Sequence, residues 1–317
     1  MVAAALSVMA VALLLDAVLG DPRWLYRRIP HPVTLMGRAI GAADRRLNRP
    51  RLGFGRRRAA GAIAVATLAV LTAGIGAGLH AVLDGLRWGW IAEGALASTL
   101  LAQASLHQHV AAVERALSDG GLDAGREAVG MIVGRDTSAL DEPAVRRAAI
   151  ESLAENLSDG VVAPLFWGCL FGLPGIAVYK LVNTADSMIG HRTPRHEAFG
   201  WAAARLDDAL NLIPARLTGL LIGVCALSAR ALRVMFRDAR AHRSPNAGWP
   251  EAAMAGALGV RLSGPRRYGD ALSPEPWLGG EGRDPGGPDM GRALSITVRV
   301  FVLLLAVVGG LAVSLSA

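Results

Sequence analysis

Lysine is almost absent: of 33 Lys and Arg residues only Lys180 is a lysine, so the formal charge of +7 is carried by arginine. Cysteine is scarce too. Cys169 and Cys225 each sit inside an apolar run and have no CxxC spacing, which excludes a disulfide framework and a thiolate zinc site. There is no HExxH pair and no GxxxxGK[ST] segment, so neither a zincin helix nor a P-loop is present. Charge of either sign is low, at 19% of residues, where a soluble domain carries about a quarter. In its place 52% of the chain is hydrophobic. That balance describes an integral membrane protein. Because the arginines flank apolar runs, they read as the positive-inside signal of cytoplasmic loops, and nucleic-acid binding is the poorer reading.

Taken in order, Ala3–Leu19 is a first membrane helix with an outside N-terminus, closed by Gly20-Asp21-Pro22. Residues 20–58 hold many arginines against Asp21 and Asp44 and belong in the cytoplasm, with a short amphipathic helix over Met36–Leu47. Ala59–Leu83 and Trp88–Leu106 form two further spans joined as a hairpin. Residues 107–160 read as soluble helices, broken at Gly120-Gly121 and resumed from an Asp141 N-cap to a stop at Gly160. Val161–Val182 is apolar but interrupted by Pro164, Gly168 and Gly172-Leu173-Pro174-Gly175. Two readings stay open: a plain span putting 183–208 outside, or a broken, re-entrant segment returning them to the cytoplasmic side, which Arg192, Arg195 and Arg205 favour. Ala209–Met235 follows as one long helix, then a Gly- and Pro-rich loop over 244–291 and a last span at Leu294–Leu315. The expected architecture is all-α: one polytopic helical membrane domain of about five or six apolar segments, one broken or re-entrant. Helical loops at about 20–58, 107–160 and 230–293 face the cytoplasm.

Polar groups in such a chain are costly unless paired or used. They concentrate between Gly134 and Asn211. Arg147, Glu151, Glu155 and Asp159 recur every four residues and form one stripe of a helix, opposite Ile150, Leu153, Ala154 and Leu157. The stripe is either a solvated face with an Arg–Glu pair or a carboxylate row for a hard divalent cation, with Asn156 and Ser158 as neutral oxygens beside it. Asn183 and Asp186 share a helix face, and Asp207, Asp208 and Asn211 exceed what a cap needs. His191 and His196 lack zinc spacing. Gly134-Arg135-Asp136-Thr137 is a weak phosphate signal. The turn from Ser244 through Asn246 and Trp249 to Glu251 is either a ligand contact or a loop folded on Trp249.

Four blocks carry a resemblance: GDPRWLYRRIPHPVTLMGRAI at 20–40, VGRDTSALDEPAVRRAAIESLAENLSDGVVAPLFW at 133–167, YKLVNTADSMIGHRTPRHEAFGWAAARLDDALNLIPARLTG at 179–219 and HRSPNAGWPEAAMAGALGVRLSGP at 242–265. Together they resemble the CobD/CbiB family of cobalamin biosynthesis proteins, adenosylcobinamide-phosphate synthases, over nearly the whole chain. The loop after Gly269 looks less typical. The resemblance implies a bacterial inner-membrane ligase with a cytoplasmic active face. It would join (R)-1-amino-2-propanol or its O-phosphate to the propionate carboxyl of adenosylcobyric acid, using ATP and Mg2+. On that reading Glu151, Glu155, Asp159, Asp186, Asp207 and Asp208 are the candidate metal ligands or amine orienters. His191 is the candidate general base, and Arg135, Arg147 and Arg192 meet phosphate charge. Asn156, Asn183, Asn211, Ser244, Asn246, Trp201 and Trp249 contact substrate, with Phe166 and Trp167 completing an aromatic rim for the corrin. The expected partners are the corrinoid, the amine, the bilayer and other membrane enzymes of the same pathway. A different metal-dependent membrane transferase and a non-catalytic scaffold or transporter are the alternatives.

Overall fold

The computed structural model describes residues 2–134, 136–268 and 271–316. Thirteen α-helices occur among them: α1 Val2–Leu19, α2 Arg23–Tyr26, α3 Pro32–Leu47, α4 Phe54–Asp84, α5 Gly89–Ser98, α6 Gln103–Gly130, α7 Glu142–Leu157, α8 Ala163–Ile189, α9 Trp201–Leu210, α10 Leu212–Cys225, α11 Ala229–Asp238, α12 Gly248–Leu258 and α13 Gly287–Ser316. The strands are short: β1 Leu262–Ser263 pairs antiparallel with β4 Trp277–Leu278, and β2 Arg266–Tyr268 with β3 Ala271–Ser273. Four helical stretches among the described residues are long and apolar enough to cross a membrane: Val2–Leu19, Phe54–Asp84, Glu142–Ile189 and Gly287–Leu315. The bent pair Trp201–Leu210 and Leu212–Cys225 makes a fifth if it counts as one span. The all-α polytopic expectation therefore holds.

Two compact units divide the chain. The first comprises residues 1–102, 163–211 and 305–317; the second comprises 103–162 and 212–304.

In the first unit Ile40 of α3, Ala64 and Val65 of α4, Leu181, Ala185 and Ile189 of α8, Phe199, and Ala203 of α9 form a buried cluster. Burying each large side chain among them contributes roughly 1.5–3 kcal/mol. α3 starts earlier than the periodicity predicts, because His31 caps it: its Nδ1 accepts from the Val33 amide at 3.2 Å, and Pro32 suits the first turn. α8 breaks where the sequence predicts, at Gly172, whose φ of 63° is left-handed. α4 packs against that break closely: a Cβ on Gly76 would lie 2.9 Å from the Pro174 Cα.

Four expectations need correction. Trp88–Leu106 is not a span. α5 has 10 residues, about 15 Å of rise, half the hydrocarbon thickness. Its end is set by hydroxyls: Ser98 Oγ donates to the Ala95 carbonyl and Thr99 Oγ1 to that of Leu96, competing with the helix. Helix α7 does not stop at Gly160. It passes through a π-helical turn, Ser158–Val162, into α8. Ala209–Met235 is not one helix. It breaks at Asn211 and again where Leu227 takes a φ of 49°, and Ser228 caps α11 by accepting from the Ala231 amide. Finally, the Gly- and Pro-rich stretch 244–291 holds the buried helix α12, closed by the left-handed Gly259, besides the strands. Its alanines outweigh the Pro and Gly that suggest a loop.

In the second unit α6 is broken at Gly121 (φ 76°), as the Gly-Gly pair predicts. Asp141 caps α7, accepting from the Ala144 amide at 2.9 Å. Ser263 holds a φ of 61°, and the buried Glu151 carboxylate accepts its amide at 2.7 Å.

Candidate functional site

The acids sort into a cluster in each unit. In the first, α8 presents Asn183 and Asp186 one turn apart, and the last turn of α9 presents Asp207 and Asp208, with Asn211 capping it. Asp207 is buried and fully engaged. Asn183 Nδ2 donates to its Oδ1 at 3.3 Å and Asn211 Nδ2 to its Oδ2 at 3.0 Å, while the buried Tyr179 hydroxyl donates to Asn211 Oδ1 at 2.9 Å. Asp208 accepts from Arg205 at 3.0 Å and feels the Arg192 charge. Asp186 lies within electrostatic reach of Asp207, Asp208, His191 and Arg205. Its carboxylate accepts no hydrogen bond among the described residues. So Asn183, Asp186, Asp207, Asp208, Asn211, His191 and Arg192 do gather, and they divide by role. Asp207 is held rigid by carboxamides, whereas Asp186 is half-buried and has an exposed imidazole and guanidinium nearby.

Residues 190–200 carry His191 and Arg192 and hang on a network that the sequence does not reveal. The buried Asp44 of α3 accepts from Arg195 Nη2 at 2.6 Å, Arg195 Nε at 3.2 Å and Asn48 Nδ2 at 2.7 Å, with His196 Nε2 at 3.5 Å. Burial pushes the Asp44 carboxyl up, but hydrogen bonds from Arg195 and Asn48 and the Arg195 and His196 charges outweigh it and leave it below the ordinary range. Trp201 is already covered, with the Arg58 guanidinium 3.6 Å from its ring centre. Trp167 donates to the Leu210 carbonyl at 3.1 Å and stacks on Phe171, with Phe166 edge-on. Both indoles thus make packing contacts, and Trp201 keeps an exposed part.

The second unit realises the stripe on α7. Arg147 does not pair with Glu151. It bonds Asp284, which also accepts from Arg261 at 2.9 and 2.6 Å, and both guanidiniums lie over Trp277, at 4.8 and 4.6 Å from its centre. The hydrogen bond from Arg261, offset in part by burial and reinforced by Arg147, holds the Asp284 carboxyl at about 2. Glu151 is buried on the Ser263 amide. Glu155 and Asn156 are exposed, Asn156 donating back to the Ser152 carbonyl at 2.9 Å, and Asp159 is half-buried in the π turn. Ser244 Oγ accepts from the Asn246 and Ala247 amides at 3.2 Å, and Asn246 Oδ1 accepts from Arg216 at 3.1 Å. Trp249 is buried, donates to the Pro245 carbonyl and lies under Arg216. The turn is folded on Trp249, with Ser244 and Asn246 engaged in its own hydrogen bonds. Arg135 lies outside the described residues.

Asp284, Arg261, Trp277, Asp44, Asn48 and Arg57 carry no motif. The signal available for them is scarcity: 26 acids among 33 cations leave each buried acid a ready arginine. Among the described residues no three His, Cys, Asp or Glu side chains are grouped to hold a metal unaided. The donors present are hard carboxylate and carboxamide oxygens. They fit Mg2+ held through one or two carboxylates and shared with substrate phosphates, and they do not fit a dedicated zinc cage.

Comparison with known proteins bears on all of this. Residues 9–297 match the profile of the CobD/Cbib protein family. The chain is 54% identical over 311 residues to a cobalamin biosynthesis protein CobD of Rhodobacter capsulatus, covering 97% of both. It is 54% identical to one from Sinorhizobium sp over 88% of each chain and 50% identical to one from Brucella suis over 88% of each. No solved structure matches it. A match of this length, running through both acidic clusters and the residues that hold them, shows that the chain belongs to the CobD/CbiB family.

Proposed function

We propose that this protein acts in cobalamin biosynthesis as a membrane-bound amide synthase. It would join (R)-1-amino-2-propanol, or its O-phosphate, to the propionate carboxyl of adenosylcobyric acid at the expense of ATP, giving adenosylcobinamide or its phosphate. The observation that carries this reading is the 54% identity over 97% of a protein named for that pathway. Supporting it is the half-buried Asp186 carboxylate with Asp208 and His191 in electrostatic reach, and Arg192 in reach of Asp208.

A carboxylate does not condense with an amine unaided. Transfer of the terminal phosphoryl group of ATP to the propionate makes an acyl phosphate and releases ADP. The amine then attacks the acyl carbon, phosphate leaves with the bonding pair, and the ammonium proton must go to a base. Asp186 orients the incoming amine, which attacks as the neutral base, and His191 takes the one proton the nitrogen sheds as the amide forms. Arg192 faces the phosphoryl oxygens, where fixed positive charge stabilises the developing anion. Bound Mg2+, held by Asp208 together with substrate phosphates, would neutralise nucleotide phosphate charge. Asp207 keeps α8 and α9 in register through Asn183 and Asn211.

The test is direct. Purified protein in liposomes receives adenosylcobyric acid, the amine and ATP, and product is followed by mass spectrometry. Cobinamide formation that needs nucleotide is expected; amide formed at the same rate without nucleotide overturns the activation step. A strain deleted for the gene should grow on added cobinamide and not on cobyric acid. A non-catalytic scaffold would leave purified protein inert.

A further inference from the structure

We propose that Asp44, Asn48, Arg57 and Arg195 form a clamp that positions His191 and Arg192 against Asp186 and Asp208, which makes these four positioning residues for amide formation. The inference rests on the reading of the site given above and extends it to residues that touch no substrate.

Residues 191–195 are all exposed, and no apolar side chain before Ala198 is buried to hold the segment from Gly190 to Gly200. Its own turns are local: the Thr193 amide donates to the His191 carbonyl, and those of His196 and Glu197 to Thr193. Short turns of this kind leave a surface segment free to open, because such regions sit at the low end of local stability. What fixes it in space is a set of side chains from elsewhere. Asn48 Nδ2 donates to the Arg195 carbonyl at 2.9 Å and to Asp44 Oδ1 at 2.7 Å. Arg57 Nε donates to Asn48 Oδ1 at 2.7 Å, and Arg57 Nη2 reaches the carbonyls of Pro194, at 3.3 Å, and of Arg195. The Arg195 side chain closes the loop on Asp44.

The choice of partners argues for placement over mere charge balance. Asp44 lies in a stretch crowded with arginines, among them the exposed Arg38, Arg45 and Arg46, yet it takes one from 151 positions away. The clamp grips carbonyls 194 and 195, two and three residues beyond Arg192. A shift there moves His191 and Arg192 directly. Displacing a reacting group by about 1 Å can cost on the order of 100-fold in rate. Side-chain donors to backbone carbonyls set position, whereas a surface ion pair by itself contributes little.

The experiment compares wild type with Arg57→Ala, Asp44→Asn and the conservative Arg57→Lys in proteoliposomes. It reads hydrogen exchange of 190–200 by mass spectrometry, together with kcat and KM for the corrinoid. Arg57→Ala and Asp44→Asn should speed exchange in 190–200 and lower kcat about 10- to 100-fold with KM for the corrinoid nearly unchanged. Arg57→Lys should fall between them and wild type. Arg51→Ala, an exposed arginine of the same stretch, should leave both readouts as they are. Unchanged exchange, or faster exchange with unchanged kcat, overturns the clamp. Should Asp44→Asn fail to fold, the half-exposed Arg57 variants carry the same decision. Wild-type protein that makes no amide refutes the function, and the exchange comparison then still decides whether these residues hold the segment.

Discussion

The Arg58 guanidinium lies over the Trp201 ring at 3.6 Å, so the start of α4 touches the start of α9. Gly61 makes the same approach: a Cβ there would run into the Phe199 carbonyl. Residues 190–201 therefore sit at the same end of the first unit as the arginine-rich stretch 45–58. The break in α8 packs at Gly76, 15 residues further along α4, or about 22 Å by helical rise. Single cysteines placed at Ser187 and at Arg51, in a background with Cys169 and Cys225 replaced, should be labelled by an impermeant maleimide from one and the same face of vesicles. Labelling from opposite faces would rule out the arrangement, and with it the re-entrant reading of α8.

Asp186 and Asp207 are neighbours with different employment, and substitution should separate them. Asp186→Asn should fold normally and lower kcat by about 100-fold, the scale of removing one electrostatic partner from a transition state. Asp207→Ala should instead lower the melting temperature, because it leaves the Asn183 and Asn211 amides without their acceptor. The two outcomes are read by thermal denaturation in detergent alongside single-turnover product formation.

Glu151 gives a third prediction. Its carboxylate is buried and accepts the amide of Ser263, which sits at positive φ. Glu151→Ala should cost about 1–3 kcal/mol of stability by orphaning that amide. Glu151→Gln, which retains an acceptor, should cost less and keep most of the amide synthase activity. If the glutamine variant melts like wild type but is inactive, the second carboxylate oxygen belongs to the chemistry.

Asp284 predicts a pH dependence. Its carboxyl is held at about 2, chiefly by Arg261, against roughly 3.9 for an unfolded aspartate. A depressed folded-state value contributes stability that is present above the unfolded value and lost as pH falls through the folded one. The melting temperature should therefore fall between about pH 4 and pH 2 through this group. Asp284→Asn should be less stable at neutral pH and should lose that part of the acid dependence. Because Asp284 is about a third exposed, solvent screening keeps the effect modest.

What the sequence made legible follows from the range over which each force acts. The first apolar helix, the Asp141 cap, and the breaks at Gly121 and Gly172 are set by residues within a few positions of one another, and all are where the pattern puts them. The clustering of Asn183 and Asp186 is likewise local. Illegible were features that depend on a distant partner. Arg147 reads as a partner for Glu151 four residues on, yet Asp284 takes it from 137 positions away. The arginines of 45–58 read as a topological signal, and Arg57 and Arg58 turn out to hold a loop. α5 was overextended because apolarity continues past Ser98 and Thr99, whose hydroxyls turn back on the preceding carbonyls.

The π turn over Ser158–Val162 changes what a side-chain repeat of four can mean. Each residue of an α-helix advances about 100° around its axis, so one residue squeezed into a wider turn swings everything after it out of phase. Asp159 sits inside that turn, and so its aim is decoupled from that of Glu155. Deleting a single residue from that turn would restore plain α-helical periodicity within it.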